Sequence, residues 1–449
     1  MQVRKSILIE GLLMGVFWVL AVVGFICDEI VPGLESLRTY IMLVCDAVLV
    51  LLGLACLRHR ADIIFIAVLA LLCFSSSVIM NGLSLPFSLN GMRVFIGAMF
   101  IYPIFRYFMD DQNRREHFIK TFDKQLEYFL WLQVPCIAYQ FIVYGAGDHG
   151  GGSLGNWYSG VISMLIYLIS FYLLKKRINP RYFLSSIMNN FKYVLLLTPT
   201  FFNETKISFV LLVLYFILLM PIDKRMFSRA IIVMPLMGTL FIVGYTTYKL
   251  TYQGDVPSTA EGINIFSEDY LVEYVFSDLE NAEENVEWGL ENNESGVADV
   301  PRLTKFLLLP MFEEENPGHV LLGFGVGHFK GGTKMDHSDF FDQYEWYLVG
   351  TIPYLIHIYL QLGVVGVLLF ITFLLSLFIR HPEGYSKRDL NLQLFLALLI
   401  GAIFFYAESL RDPLFCMVVY GLIACSWQPS ELPQDATDDT ADATEVATA

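Results

Sequence analysis

Apolar runs recur along this chain from its first line to its last, and each is near the ~20 residues that a helix needs to cross a bilayer. Inside lipid every backbone N–H and C=O must be satisfied within the segment, so runs of this kind fold as packed helices. Composition agrees with the runs. Hydrophobic residues make up 55% of the 449 residues and charged residues 16%, with a mean hydropathy of +0.55. A soluble chain of this length would expose more charge. The expected fold class is an all-α membrane protein with about twelve transmembrane helices and one large, partly helical extracytoplasmic loop. Spans are expected near 6–26, 39–57, 62–80, 91–109, 126–145, 157–174, 192–203, 205–222, 230–250, 351–379, 391–409 and 412–427. No A-x-A cleavage site follows the first run, which therefore reads as a retained span.

Charge sets the expected topology. Residues 251–350 hold 20 acidic and 4 basic side chains, net −16, and residues 428–449 hold six acidic and no basic ones. The whole chain is at −15, so the apolar body is basic. Its Lys and Arg gather in alternate short connections: VRK (3–5), RHR (58–60), 106–120, KKRINPR (175–181), DKRMFSR (223–229) and RHPEGYSKR (380–388). Basic short loops mark the cytoplasmic side. Both termini are then expected in the cytoplasm and 251–350 outside. The expected organisation is transmembrane helices 1–9 over 1–250, the extracytoplasmic loop over 251–350, helices 10–12 over 351–427, and a disordered acidic cytoplasmic tail over 428–449. That tail is rich in Thr and Ala and lacks aromatic residues.

One stretch strains the count. Residues 191–221 must cross twice between two basic connections, yet 31 residues make two spans shorter than the bilayer core. The hinge TPTFFNETK (198–206) therefore lies at or below the membrane surface. Irregular backbone at that depth is tolerated where it faces protein or a wet cavity, which makes the hinge a pointer to a site. The seven cysteines form no C-x-x-C pair and mostly fall in apolar runs, so they read as small core residues.

Few cations are expected near the outer face, and each can be weighed. They are Arg93 at the start of the fourth span, Lys206 in the hinge, Arg302 and Lys305 in DVPRLTKFLLLPMF, and Arg411 in ESLRD. The i, i+3 spacing of Arg302 and Lys305 puts both on one face of a short helix. A cluster drawn from these residues suits an anionic headgroup, a diphosphate especially, because Arg offers a bidentate fork. The plain alternatives are interface anchors for Arg93 and Arg411 and a solvated loop charge for Lys305. Among the histidines, His319, His328, His337 and His357, a surface or core role is the default and a general base the sharper reading. No second ligand pair has helical spacing, so no metal and no cofactor are expected.

The stretch PGHVLLGFGVGHF, from Pro317 to Phe329, invites a phosphate-loop reading. It has neither the GK[ST] nor the strand-to-helix context of a P-loop. Its glycines read instead as permitting tight turns and close backbone approach between apolar segments beside Arg302.

A helix bearing Arg302 is followed by Pro317, Leu321, Gly323, Gly325, Gly327 and Phe329 in a P-x-x-x-L-x-G-x-G-x-G-x-F pattern, and then by IYLQLGVVGVLLF entering a span. This order resembles the O-antigen ligase and O-antigen polymerase superfamily of polytopic bacterial inner-membrane proteins. Glu204–Thr205–Lys206 occupies the place of that family's serine–arginine pair, with Lys for Arg, and the loop arginine carries over to Arg302. The ligase histidine would fall at Ile352 or Pro353, so this chain departs from the ligase pattern and resembles the repeat-unit polymerases more closely. What the resemblance implies is polymerisation of polyprenyl-diphosphate-linked oligosaccharide units into a surface polysaccharide at the outer face of the cytoplasmic membrane. Arg302, Lys206 and a base such as His337 would be catalytic, and Arg93, Lys305 and Arg411 would bind substrate. The implied partners are the lipid-linked glycan, membrane lipids, a flippase and a chain-length regulator, with no nucleic acid. The competing readings are a ligase that transfers glycan to a lipid or protein acceptor and a non-enzymatic transporter of lipid-linked glycan.

Overall fold

The protein is described by a computed structural model, over residues 2–31, 33–145, 149–156, 158–203, 207–220, 226–252, 302–327, 339–348, 351–380 and 385–429. Lys206, His328 and His337 lie outside these residues, as do most of 251–350 and all but the first two residues of 428–449.

The fold is helical. Its helices are α1 (Gln2–Phe25), α2 (Glu35–Cys56), α3 (Arg60–Phe74), α4 (Leu85–Met92), α5 (Tyr102–Met109), α6 (Gln112–Tyr144), α7 (Ser159–Lys175), α8 (Phe183–Asn189), α9 (Lys192–Leu195), α10 (Ile207–Leu219) and α11 (Met226–Tyr252). After them come α12 (Arg302–Leu307), α13 (Leu309–Glu315), α14 (Asp339–Leu348), α15 (Tyr354–Ile379), α16 (Leu390–Tyr406) and α17 (Pro413–Cys425). Among the described residues five helices are long and apolar enough to cross a membrane, or six if the pair Leu85–Phe95 and Gly97–Met109, bent by 62°, is one span. The apolar helices α7, α10, α16 and α17 are only 13–17 residues long, and within α11 the shorter stretch Val233–Gly244 is apolar. A chain of several apolar helices is what the composition required.

Two helices have no lipid face. Every residue of α17 from Pro413 to Ala424 is buried, and so is α7 from Ile162 to Leu174. A helix apolar all round belongs at the centre of a bundle. There α17 packs against α1, α5, α7 and α16, and α7 also meets α6, α10 and α16. The outer helices expose leucine and isoleucine to the surroundings, as Ile63, Ile64, Leu71 and Leu368 do.

Among the described residues, the basic connections 58–60, 106–120, 175–181 and 380–388 gather at one end of this bundle. His59 pairs with Asp110 at 2.9 Å, and Arg106 and Arg380 both reach the buried Asp62, at 3.4 and 2.7 Å. Lys175 pairs with Asp389, and a two-stranded ribbon joins β1 (Tyr385–Arg388) to β2 (Trp427–Pro429).

At the other end the backbone is often irregular, and side chains inside the bundle satisfy it. Gln133 and Gln140 are fully buried, and their amide oxygens accept from the N–H groups of Ser153 (2.9 Å) and Gly152 (2.7 Å). The connection after α6 therefore folds down into the bundle. A Cβ on Gly24 would meet the Leu154 carbonyl oxygen at 1.8 Å, so only glycine lets α1 approach so closely.

The expected span at 192–203 is not a regular helix. Four residues of α9 are followed by a 3-10 turn, Thr198–Phe201. Thr200 and Asn203 are buried, and Asn203 donates to Ser163 Oγ at 3.3 Å. The described part of the hinge, 198–203, lies within protein, packed against α7.

The glycine-rich segment inserts between broken helices. The chain loosens to a π-helix at Ser75–Met80, and α15 breaks at Gly363 (φ +64°). The Phe324 and Gly325 N–H groups donate to the Leu360 and Gln361 carbonyls at 2.7 and 3.1 Å. In return Val364 and Val365 donate to Val320 and Leu321 at 3.0 and 3.2 Å. Ser76 Oγ donates to the Gln361 carbonyl at 3.0 Å, and Ser77 Oγ accepts from Val326 N–H at 2.8 Å. Carbonyls and amides freed by the breaks are thus paired by the incoming segment, as buried backbone must be.

Candidate active-site cavity

A cavity of about 480 Å³ opens at this irregular end. Asp46 of α2 lines it, together with Asn90 and Gly91 of α4, and Arg93. So do Tyr158 and Val161, Gly327 of the inserted segment, His357 and Gln361 of α15, and the turn Glu408–Asp412 between α16 and α17. Asp46 is eleven residues into its helix, which at 1.5 Å per residue places it ~16 Å along α2 from its start.

The two arginines of the cavity have different commitments. Arg93 Nε and Nη2 both hold Asp46 Oδ2, at 2.8 and 2.7 Å. Asp46 is 5% exposed, and its Oδ1 has no hydrogen-bond partner. A bare buried carboxylate is worth ~3–5 kcal/mol of instability when its partner is removed. Arg93 is therefore first of all the counter-ion of Asp46. Arg411 pairs with Glu408 three residues earlier on a 3-10 turn, and the Glu408 side chain is 35% exposed. The Arg411 side chain is only 12% exposed, so the carboxylate of the pair reaches solvent more than the guanidinium does.

The rest of the lining is fixed by hydrogen bonds. Asp412 Oδ1 accepts from Phe415 N–H at 2.9 Å and caps α17. Gln361 donates through Nε2 to His357 Nε2, and its Oε1 accepts from Gly327 N–H at 3.4 Å. With this assignment the neutral imidazole of His357 carries its proton on Nδ1. His357 and Gln361 are one helical turn apart, and both are buried.

Arg302 and Lys305 form a second group that does not line the cavity. Arg302 starts α12, lies 4.2 Å above the ring of Tyr406, and donates to Thr351 Oγ1 at 3.4 Å. Lys305 is not a solvated loop charge. It is fully buried, with Nζ 3.3 Å from the Thr351 carbonyl. Its own carbonyl accepts from Tyr347 at 2.7 Å, and burial pushes the Tyr347 phenol up, so that it stays a donor. The i, i+3 spacing does bring Arg302 and Lys305 to one partner, Thr351. The two groups are linked through the chain, because Tyr406 stands two residues before Glu408 and Thr351 six before His357.

Of the site residues expected from sequence, the structure thus brings Arg93 and Arg411 together and Arg302 and Lys305 together. Lys206 and His337 are outside the described residues. Asp46, Gln361 and Glu408 were not among those expected. A signal for Asp46 was available, as the single acid within the apolar run 39–57. Glu408 stood in ESLRD beside Arg411, and only its folded pairing gives it a role.

No protein-family model matches this chain, and no curated protein matches it in sequence.

Proposed function

We propose that this protein is a membrane glycosyltransferase of the cytoplasmic membrane that polymerises polyprenyl-diphosphate-linked oligosaccharide units into a surface polysaccharide. The observation that carries the reading is the Arg411–Glu408 pair in a cavity, lined also by Asp46, Arg93 and Asp412, at the irregular end of a helical bundle. A donor diphosphate would take the place of Glu408 on Arg411, as guanidinium forks favour phosphate oxygens. Glu408 would then be free to accept the proton of the acceptor hydroxyl. The acceptor oxygen bonds to the anomeric carbon, the bond from that carbon to the phosphate oxygen breaks, and its electron pair leaves with the lipid diphosphate. Arg411 stabilises the charge that develops there. Arg302 would guide the donor at the neighbouring Tyr406 ledge, with Lys206 as its expected companion. Twelve spans, both termini in the cytoplasm and an extracytoplasmic 251–350 complete the proposed arrangement.

Two measurements test it. Purified protein in lipid vesicles is expected to convert a polyprenyl-diphosphate-linked repeat unit into longer lipid-linked products, releasing polyprenyl diphosphate. Transport of the intact donor across the vesicle with no lengthening would overturn the reading in favour of a transporter. For the sidedness, a cysteine placed at Glu291 in a cysteine-free background should react with an impermeant thiol reagent in intact cells. Labelling only after lysis would reverse the topology.

A further inference from the structure

The described chain ends at β2 (Trp427–Pro429), at the basic end of the bundle, and that end carries charge its own acids do not balance. Over 4–10, 58–62, 106–127, 175–192, 380 and 385–389 there are seventeen Lys and Arg against eight Asp and Glu, an excess of nine cations. Ion pairs there already engage most of the acids. Asp62 serves Arg106 and Arg380, Asp123 serves Lys176, Glu127 serves Arg177 and Lys192, and Asp389 serves Lys175. Lys120 and Lys124 on α6 and Arg388 on β1 are exposed and are in no ion pair among the described residues.

The exit of the chain is set among these cations. Arg115 of α6 donates to the Trp427 carbonyl, and the Arg388 guanidinium lies 4.7 Å from the centre of the Trp427 ring. The two strands pair antiparallel, with Arg388 opposite Trp427. Lys120 is five residues beyond Arg115 on the same helix, ~8 Å along its axis. After Pro429 come twenty residues, 430–449, which lie outside the described residues. They hold six acids, Glu431, Asp435, Asp438, Asp439, Asp442 and Glu445, and no Lys, Arg or His.

A fixed exit beside unbalanced cations, followed by a purely acidic stretch, points to a partner within the chain. Tethering gives that stretch an effective concentration on the order of millimolar at the surface where it leaves. Attraction between exposed charges reaches ~10 Å at 0.1 M salt. The plain reading is that the excess cations mark the membrane side and face lipid headgroups. It accounts for the cations and gives no role to the acids gathered in one stretch beside them.

We propose that residues 430–449 dock by charge on the basic end of the bundle, across Arg388 and the α6 cations Lys120 and Lys124. The contact covers that end with a segment of the same chain, where an anionic lipid would otherwise bind. The assignment does not depend on the glycosyl-transfer reading.

The test is zero-length carbodiimide cross-linking of the full-length protein in phosphatidylcholine nanodiscs, read by peptide mass spectrometry. The acidic stretch has no lysine, so each link from it joins one of its carboxylates to a lysine elsewhere. Glu431 is next to the exit and links by tethering alone, so the reading is taken at Asp442 and Glu445. Both are expected to link to Lys120 and Lys124. In 0.5 M salt, where the screening length falls to about 4 Å, their yield should drop on the order of fivefold. Asp438→Asn/Asp439→Asn leaves both reporting carboxylates in place and should lower their yield by about threefold or more, since each exposed ion pair lost costs up to about fivefold. Links confined to Glu431, or a yield from Asp442 and Glu445 left unchanged by salt or by the double variant, would show tethering alone and overturn the proposal. Links that vanish in phosphatidylglycerol nanodiscs would give the surface to anionic lipid. Links between isotopically labelled and unlabelled chains in a mixed preparation would give it to a second copy. Either outcome defeats the assignment.

Discussion

Alanine at Gly323 is expected to keep the bundle from closing. Gly323 has φ +70°, and a Cβ there would sit 2.4 Å from the carbonyl carbon of Gln361 and 2.5 Å from the nitrogen of Leu362. The left-handed backbone alone costs an L-residue ~1–2 kcal/mol. The overlap is with backbone, not with the far end of a side chain, so it is relieved only by moving the inserted segment away from α15. That movement breaks the bonds from Phe324 and Gly325 to Leu360 and Gln361, and leaves those groups buried without partners. A combined loss of roughly 3–5 kcal/mol is expected, a large share of the stability of an ordinary domain. The measurement is the thermal midpoint in detergent, with the yield of folded protein from cells. Gly318→Ala is the internal control, because nothing lies within 4 Å of a Cβ there. A Gly323→Ala protein that melts with the wild type would show that the segment is not wedged between the broken helices.

The second large effect concerns turnover. Arg411→Ala should reduce glycan transfer by ~10²–10³-fold, the scale seen when one donor to a developing oxyanion is removed. The fold should survive, because Arg411 sits on a 3-10 turn and its partner Glu408 is partly open to solvent. Arg411→Lys should recover only part of the rate, since an ammonium cannot make the paired contact of a guanidinium. Glu408→Gln should be similarly slow. If the two act as one unit, Arg411→Ala/Glu408→Gln should be little worse than either single variant. The readings are turnover of purified protein on a polyprenyl-diphosphate-linked donor and glycan length in cells. Near-normal turnover by Arg411→Ala at normal expression would remove the cavity from the chemistry. Multiplicative losses in the double variant would keep both residues in the reaction while ending the exchange of one for the other.

What the sequence determined about this protein is what partition between water and lipid depends on residue by residue. Apolar runs in α1, α2, α3 and α15 are long enough to span wherever they pack, so the membrane class was legible before any fold. The gathering of the basic connections at one end follows from the alternation of charged and uncharged loops. The glycines of 323–327 announced irregular backbone, because few other residues tolerate a positive φ. Tertiary structure alone decided the rest. Helices α7 and α17 are apolar on every side, so no stripe in their sequences says which neighbour each face meets. The convergence of Asp46, Arg93, His357 and Glu408 depends on those meetings, across more than three hundred residues of chain. Lys305 looked like a solvated charge because hydropathy assigns lysine to water, and it is buried because α12 docks against Thr351 and Tyr347. The region 192–203 looked like a span because its composition is apolar. It winds instead into a short helix and a 3-10 turn, with Thr200 donating to the Leu197 carbonyl of its own turn and Asn203 donating to Ser163 of α7.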